Sequence, residues 1–158
     1  MAPGTAQRLL RQIQPRQLLW KLSDAARQFR EQRTLSPEAA LGRRAEDLAH
    51  RYLRNAGLTV VARNYRPNEG DAEVDIIARD GDTVVFVEVK SRTSAEFGAP
   101  DRAIGGDKQK NIVRAARSYA TRAGVAWNQV RFDTISIVFT NPPSLVHQQD
   151  AFFSDRAA

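Results

Sequence analysis

The sequence VVFVEVK at residues 84–90 says most about the fold, because it is an apolar strand that carries a carboxylate and an ammonium group two residues apart. Side chains of a strand alternate between its two faces, so Glu88 and Lys90 share one face while three valines fill the other. A strand that is apolar on both faces is typical of the middle of a sheet. Burying two charges there costs several kcal/mol unless they pair or bind a metal ion. The stretch therefore predicts a central strand with an ion pair or a cation site.

Length and composition indicate a globular protein of one domain with an extension. The chain has 158 residues, of which 42% are hydrophobic and 27% are charged. It has no cysteine, which excludes disulfides and cysteine-based zinc sites. No apolar run approaches the roughly 18 residues that a membrane-spanning helix needs. We therefore expect no membrane span and a cytoplasmic location.

Positive charge is concentrated at the N-terminus. The net charge is +6, and residues 1–40 contain seven basic and three acidic side chains, a net charge of +4. The other 118 residues carry 17 basic and 15 acidic side chains, a net charge of +2. We interpret residues 1–35 as a basic amphipathic extension, docked or partly disordered, and residues 36–158 as the domain. A nucleic-acid-binding arm and a membrane-surface helix stay open as alternatives for the extension.

Periodicity and turn residues predict the order of the elements. Ser36 and Gly57 are typical of the two ends of a helix, Asp80 and Gly81 indicate a hairpin, and Asp107 is expected to cap a second helix. The predicted elements are a helix between Ser36 and Gly57, strands at 58–65, 71–78 and 84–90, a loop at 91–106, a helix from Asp107 to Gly124, a strand at 130–139 and an edge strand within 145–153. The prediction is an α/β fold, a mixed sheet flanked by helices in the order α-β-β-β-α-β(-β).

Two acidic residues on neighbouring strands form the candidate site. Asp75 is followed on its own face by Ile77, which indicates that this face is becoming buried, and Glu88 lies on the next strand. Two carboxylates on adjacent antiparallel strands can hold a hard divalent cation such as Mg²⁺. A cation would also relieve their mutual repulsion, and Lys90 could neutralise developing negative charge. Such a site suits phosphodiester hydrolysis, whereas an ion pair between Glu88 and Lys90 is the structural alternative.

Basic residues of the second helix divide between its two sides. By its helical angle Lys108 falls on the apolar side at the start of the helix, so we expect it to point toward the sheet. Arg114 and Arg117 fall on the opposite, exposed side, where they form either a solvated surface or a nucleic-acid contact. Arg131 and Asp133 share a strand face, and we expect a structural ion pair between them.

The spacing of these residues resembles a known nuclease signature. Asp75, followed at thirteen residues by Glu88-Val89-Lys90, resembles the motif of the PD-(D/E)xK nuclease superfamily, and the chain more closely resembles the YraN family of predicted endonuclease-like proteins. The likeness covers roughly residues 41–153. The wider matches are Gly42, Glu46, Ala49, Tyr52, Leu53, Gly57, RNYR at 63–66, EVDIIA at 73–78, FVEVKSR at 86–92, Phe97, Gly98, Lys108, Ala116, Tyr119, RFD at 131–133, Ala151 and Phe152.

The resemblance implies a restriction-endonuclease-like fold, close to that of archaeal Holliday-junction resolvases. It implies that Asp75 and Glu88, with the carbonyl of Val89, are the ligands of one Mg²⁺ or Mn²⁺ ion. It further implies that Lys90 is the catalytic lysine and that Glu46 supplies an acidic group from the first helix. Junction-cutting relatives act as dimers, so a homodimer is expected by analogy.

Two functions follow from these predictions. The first is a metal-dependent DNA endonuclease acting on branched or damaged DNA. Its phosphate contacts would come from the residues Ser91, Arg92, Lys108, Arg114 and Arg117. The second is a catalytically silent module that keeps the fold and binds nucleic acid or a protein. The net charge of only +2 outside residues 1–40 keeps the second function open.

Overall fold

A mixed five-stranded sheet lies between two helices in the computed structural model of this protein, which describes residues 35–68, 70, 72–93 and 105–152. The chain divides into two units after Ala40, and the whole sheet belongs to the unit Leu41–Ala158. The predicted extension at residues 1–35 lies outside the described residues, except for Leu35. Neither of the two described helices is long and apolar enough to cross a membrane.

The predicted order of elements is confirmed. The elements are α1 (Pro37–Asn55), β1 (Thr59–Tyr65), β2 (Val74–Asp80), β3 (Thr83–Arg92), α2 (Gly106–Ala123), a short 3₁₀ helix (Trp127–Gln129), β4 (Val130–Val138) and β5 (Ser144–Gln148). The strands follow one another across the sheet in chain order. β3 and β4 are parallel, and every other neighbouring pair is antiparallel. α2 makes the connection that a parallel pair requires.

β3 is the central strand, as its sequence predicts. Val85 and Val87 face α1, where Ala45, Ala49 and Leu53 pack against the sheet. Phe86 faces α2 and is fully buried; its face also carries Val84, and both residues pack with Ile112 and Ala116 of that helix. Both faces of β3 are therefore covered, so a polar side chain on this strand leaves water when the protein folds.

α1 begins and ends where its sequence predicts. Ser36 is the N-cap, because its Oγ accepts a hydrogen bond from the Ala39 N–H at 3.2 Å. After Asn55 the chain turns at Gly57, whose φ of +91° is a left-handed conformation that glycine adopts without a steric penalty.

Two predicted strand boundaries are wrong. The strand predicted at 71–78 begins only at Val74, which pairs with Tyr65. β1 ends there, and Pro67 follows, which has no N–H to extend the ladder. The loop predicted from Ser91 begins later, because β3 continues to Arg92 by parallel pairing with β4. Residues 94–104 of that loop lie outside the described part of the chain.

The predicted start of α2 is also wrong. Its N-cap is Gly105, and the Gln109 N–H bonds to the Gly105 carbonyl at 3.0 Å, so the helix begins before Asp107. Among the described residues, no side chain caps this end. Asp107 lies instead in the first turn, where a negative charge interacts favourably with the helix dipole. Lys110 is 4.0 Å from its carboxylate.

The predicted last strand is shorter than expected. β5 ends at Gln148, because the chain turns at Asp150, whose φ is +52°. Phe152 then lies in the core, 5.0 Å from Phe132 between ring centroids.

A buried polar network joins β4 to its neighbours on the α1 side of the sheet. Asp133 is completely buried and accepts hydrogen bonds from Arg131 at 2.9 and 3.0 Å, which confirms the predicted pair. His147 lies 2.8 Å from the same carboxylate, and the Asp150 N–H donates to it at 3.0 Å. Burial opposes ionisation, but the hydrogen bonds from His147 and Arg131 outweigh it and hold the pKa of Asp133 below its usual value. Its partners and burial make this network structural.

Candidate metal and catalytic site

Asp75 and Glu88 lie side by side where the pairing of β2 and β3 ends. The last paired residues at this end are Ile76, which follows Asp75 in the chain, and Val87, which precedes Glu88. Glu88 shares its face with Phe86, and Asp75 shares its face with Ile77, so both carboxylates are on the α2 side of the sheet. The backbone N–H of Val89 donates to Asp75 Oδ2 at 2.7 Å. The sheet therefore brings together the two carboxylates that the sequence predicts as a pair.

Asp75 is under electrostatic strain in this position. Burial and repulsion from the Glu88 carboxylate raise its pKa from 3.8 to about 7. The Val89 N–H and the positive charge of Lys108 act in the opposite direction but do not cancel these effects. A proton on Asp75 could be donated to Glu88, and a cation between the two carboxylates would relieve the same repulsion.

Glu88 is only partly satisfied by its surroundings. Its side chain is 5% exposed, and Oε1 forms an ion pair with Lys108 Nζ. This contact confirms the prediction that Lys108 points toward the sheet. Glu88 Oε2 is also buried, and it has no hydrogen-bond donor among the described residues. Because an unsatisfied buried carboxylate oxygen costs roughly 1–3 kcal/mol or more, this atom indicates a missing partner.

Lys90 lies two residues beyond Glu88 on the same face of β3. Burial lowers the pKa of its ammonium group, as do the charges of Arg92 and Lys108, while the carboxylate of Glu88 opposes that change. The side chain is half-buried, so its charge is less screened than that of a surface lysine. Its position beside the acidic pair is the one predicted from the strand sequence.

Glu46 reaches the same region from α1. Its Oε2 accepts a hydrogen bond from Asn64 Nδ2 at 3.2 Å and lies 3.5 Å from Arg63. Burial raises the pKa of Glu46, and repulsion from the Asp75 carboxylate adds to that increase. The two carboxylates therefore interact electrostatically. Asn64 has a φ of +49°, a left-handed conformation that directs it at this point. The sequence did not single out Asn64 as the partner of Glu46, although Asx-type residues tolerate this backbone.

The residues predicted to contact nucleic acid lie on two elements. Ser91 and Arg92 end β3, beyond Lys90. Lys108 is half-exposed at the start of α2. Arg114 and Arg117 are exposed on the outer side of that helix, as predicted, and the guanidinium of Arg117 lies 4.3 Å from the ring centre of Trp127.

The donor set fits a hard cation rather than zinc. Within the described ranges no three His, Asp or Glu side chains are grouped so that they could share one ion. Two carboxylates, one of them with an unsatisfied oxygen, match the way Mg²⁺ is bound, by one or two carboxylates with water and substrate oxygens completing the shell. The predicted contribution of the Val89 carbonyl stays a prediction.

The chain is similar to a group of bacterial proteins. The profile of the uncharacterised protein family UPF0102 matches residues 45–137. A UPF0102 protein of Solibacter usitatus is 48% identical over 111 residues, which cover 70% of this chain and 84% of that protein. UPF0102 proteins of Geobacter sulfurreducens and Rhodococcus jostii are 45% and 44% identical, over 71% and 72% of this chain and 88% and 96% of their own lengths. The matched region contains Asp75, Glu88 and Lys90.

Proposed function

Because the chain belongs to the uncharacterised protein family UPF0102, whose name assigns no activity, we propose its function from the site itself: a metal-dependent nuclease that hydrolyses phosphodiester bonds of DNA. One observation carries the proposal. Among the described residues, no donor reaches the buried Oε2 of Glu88, and Asp75, whose ionisation is disfavoured, lies beside it. A divalent cation would satisfy both.

In this proposal the carboxylates of Asp75 and Glu88 and the carbonyl of Val89 hold one Mg²⁺ or Mn²⁺ ion. When bound, the ion supplies Lewis-acid stabilisation of phosphoryl charge and makes a bound water more acidic. The Val89 N–H fixes the Asp75 carboxylate through a 2.7 Å hydrogen bond, which orients its remaining oxygen. The backbone of β3 therefore positions one acid and the side chains of β3 supply the other.

Lys90 and Glu46 complete the proposed machinery. The ammonium group of Lys90 stabilises negative charge that develops on the phosphoryl oxygens, and partial burial strengthens this interaction. Glu46, held by Asn64, accepts or returns a proton at the edge of the site, which suits a carboxylate whose pKa is raised. Ser91, Arg92 and Lys108 contact the phosphates next to the one that reacts.

A second function is supported by the ion pair between Lys108 and Glu88. This pair neutralises Glu88 without any metal ion, as a fold that has lost catalysis would require. The chain would then bind nucleic acid or a protein without cutting. A homodimer and a cytoplasmic location stay predictions under both functions.

Cleavage assays separate the two functions. We expect forked, four-way or single-stranded DNA to be cut in Mg²⁺ or Mn²⁺ and to stay intact in EDTA. Asp75→Asn and Glu88→Gln should each lower the rate by more than about 100-fold. Loss of an outer-shell partner of a metal site costs up to about 100-fold, and loss of a direct ligand should cost more. Asp82→Asn is the matched control, because Asp82 is an exposed turn residue, and it should cut like the wild type.

Two other outcomes would contradict the nuclease proposal. If Asp75→Asn and Glu88→Gln cut as fast as the wild type, the two carboxylates do not form the active site. If the wild type binds DNA in Mg²⁺ and Mn²⁺ but never cuts it, the non-catalytic function is correct.

A further inference from the structure

α2 carries much more positive charge than the rest of the domain. Its sequence, GDKQKNIVRAARSYATRA, has five basic residues and one acid. Lys110, Arg114, Arg117 and Thr121 follow one another at intervals of three or four residues and are all exposed, so they form one stripe along the outer side of the helix. A basic stripe on one helix is the electrostatic footprint of an anionic partner.

The far end of this stripe borders a groove lined by polar residues. The groove has a volume of about 460 Å³ and is lined by Asn68, Arg117, Ser118, Thr121 and Arg122. This volume lies within the range of roughly 300–1,000 Å³ that is typical of small-molecule sites, so the groove can take a phosphate with its attached sugar. Its lining consists of two guanidinium groups, two hydroxyls and an amide, which are hydrogen-bonding groups suited to phosphate oxygens.

Aromatic residues hold the two arginines in place. Arg117 lies 4.3 Å from the ring centre of Trp127, and Arg122 donates to the Tyr65 hydroxyl at 2.7 Å and to Ser118 at 3.3 Å. Within the described part of the chain, these partners are rings and hydroxyls, so no carboxylate cancels the positive charge of either arginine. A guanidinium held over an aromatic ring keeps N–H donors at its edge, and it is oriented before any ligand arrives.

The groove is separate from the carboxylate site. Arg117 and Arg122 are nine and fourteen residues beyond Lys108, which is about 14 and 21 Å along the helix axis at a rise of 1.5 Å per residue. In duplex DNA each strand places one phosphate per 3.4 Å of axis, so these distances correspond to about four to six base pairs.

We propose that this groove is a second binding site for the DNA backbone, which holds a phosphate about four to six base pairs from the bond at the carboxylate site with the duplex lying along α2. This inference rests on the proposed nuclease function for the position of the reacting bond. Phosphate binding in the groove depends only on the residues that line the groove, so this binding can be tested without metal ions or cleavage.

The test compares two double variants that lose the same charge from opposite sides of the sheet. Arg117→Gln/Arg122→Gln removes the groove arginines, and Arg51→Gln/Arg54→Gln removes two exposed arginines of α1. Binding of a fluorescent duplex longer than the groove-to-site distance is measured in EDTA over a range of salt concentrations. For the groove variant we expect the magnitude of the negative slope of log K against log salt to fall by about 0.9, the value for one lost phosphate contact, while the α1 variant keeps the wild-type slope.

A single substitution guards against loss of folding in the double variant. Thr121→Glu puts a negative charge in the groove without touching Trp127 or Tyr65, and it should weaken binding by at least about tenfold. Equal slopes for the wild type and the groove variant, or unchanged binding by Thr121→Glu, would contradict phosphate binding in the groove. Neither result would bear on the cleavage assays. A reduced slope in a protein that never cuts DNA would support the groove while the nuclease function fails.

Discussion

Glu88 and Lys108 form the contact that matters most at the scale of single residues. The strand buries Glu88, and Lys108 from α2 supplies the counter-charge for one of its two oxygens. The helical angle of Lys108 was enough to predict its direction. The hydrogen bond from the Val89 N–H to Asp75 could not be predicted from the sequence. It depends on the pairing of β2 and β3 ending at Ile76 and Val87, which leaves the Val89 N–H available to Asp75.

Lys108→Ala tests this contact. The substitution leaves Glu88 buried without its counter-ion, and it should lower the free energy of unfolding by about 1–2 kcal/mol, discounted because half of the lysine is exposed. Urea unfolding in EDTA measures the change. Lys110→Ala is the control, since Lys110 is exposed and its carboxylate partner is fully exposed. Equal stability of the two variants would show that Lys108 does not stabilise Glu88.

At the scale of elements, β3 was the most predictable part of the fold and its two ends were the least. Alternation of valines with Phe86 is enough to predict burial on both faces. The end of the strand at Arg92 depends on parallel pairing with β4, which lies almost forty residues further along the chain. α2 starts at Gly105 and Gly106. Because glycine has no side chain, these residues offer no capping group from which the start of the helix could be predicted.

Phe86→Ala tests the central position of β3. Phe86 is completely buried and lies 5.7 Å from the ring centres of both Tyr119 and Phe132. Its truncation should cost about 3–5 kcal/mol in urea unfolding, because it leaves a cavity between the sheet and α2. Val61→Ala, at a 44% exposed position of β1, should change stability by less than about 0.5 kcal/mol. A loss below about 1 kcal/mol for Phe86→Ala would place this strand outside the core.

At the scale of the whole molecule, the order of the elements followed from the sequence, whereas the groove did not. It is formed by Asn68, after β1, and by α2, which are about fifty residues apart in the chain. The net charge of only +2 outside residues 1–40 does not reveal the basic helix, whose exposed arginines Arg114 and Arg117 were predicted from their helical angle instead.

The stability of the whole protein should depend on pH through Asp75. Burial and Glu88 raise its pKa from 3.8 to about 7, so between these values the folded protein binds a proton that the unfolded chain does not. The free energy of unfolding in EDTA should therefore fall as pH rises from about 4 to 7. Asp133 has the opposite sign: its pKa is lowered, so its contribution is lost as pH falls below 3.8. Asp75→Asn should flatten the fall between pH 4 and 7, and Asp82→Asn should preserve it; a fall unchanged in Asp75→Asn would contradict the assignment.

Calorimetric titration with Mn²⁺ or Mg²⁺ tests whether Asp75 and Glu88 form a cation site. We predict a saturable signal with one ion per chain for the wild type and for Asp82→Asn, and no such signal for Asp75→Asn or Glu88→Gln. The same saturable signal in Asp75→Asn and Glu88→Gln, or none in the wild type, would contradict the claim.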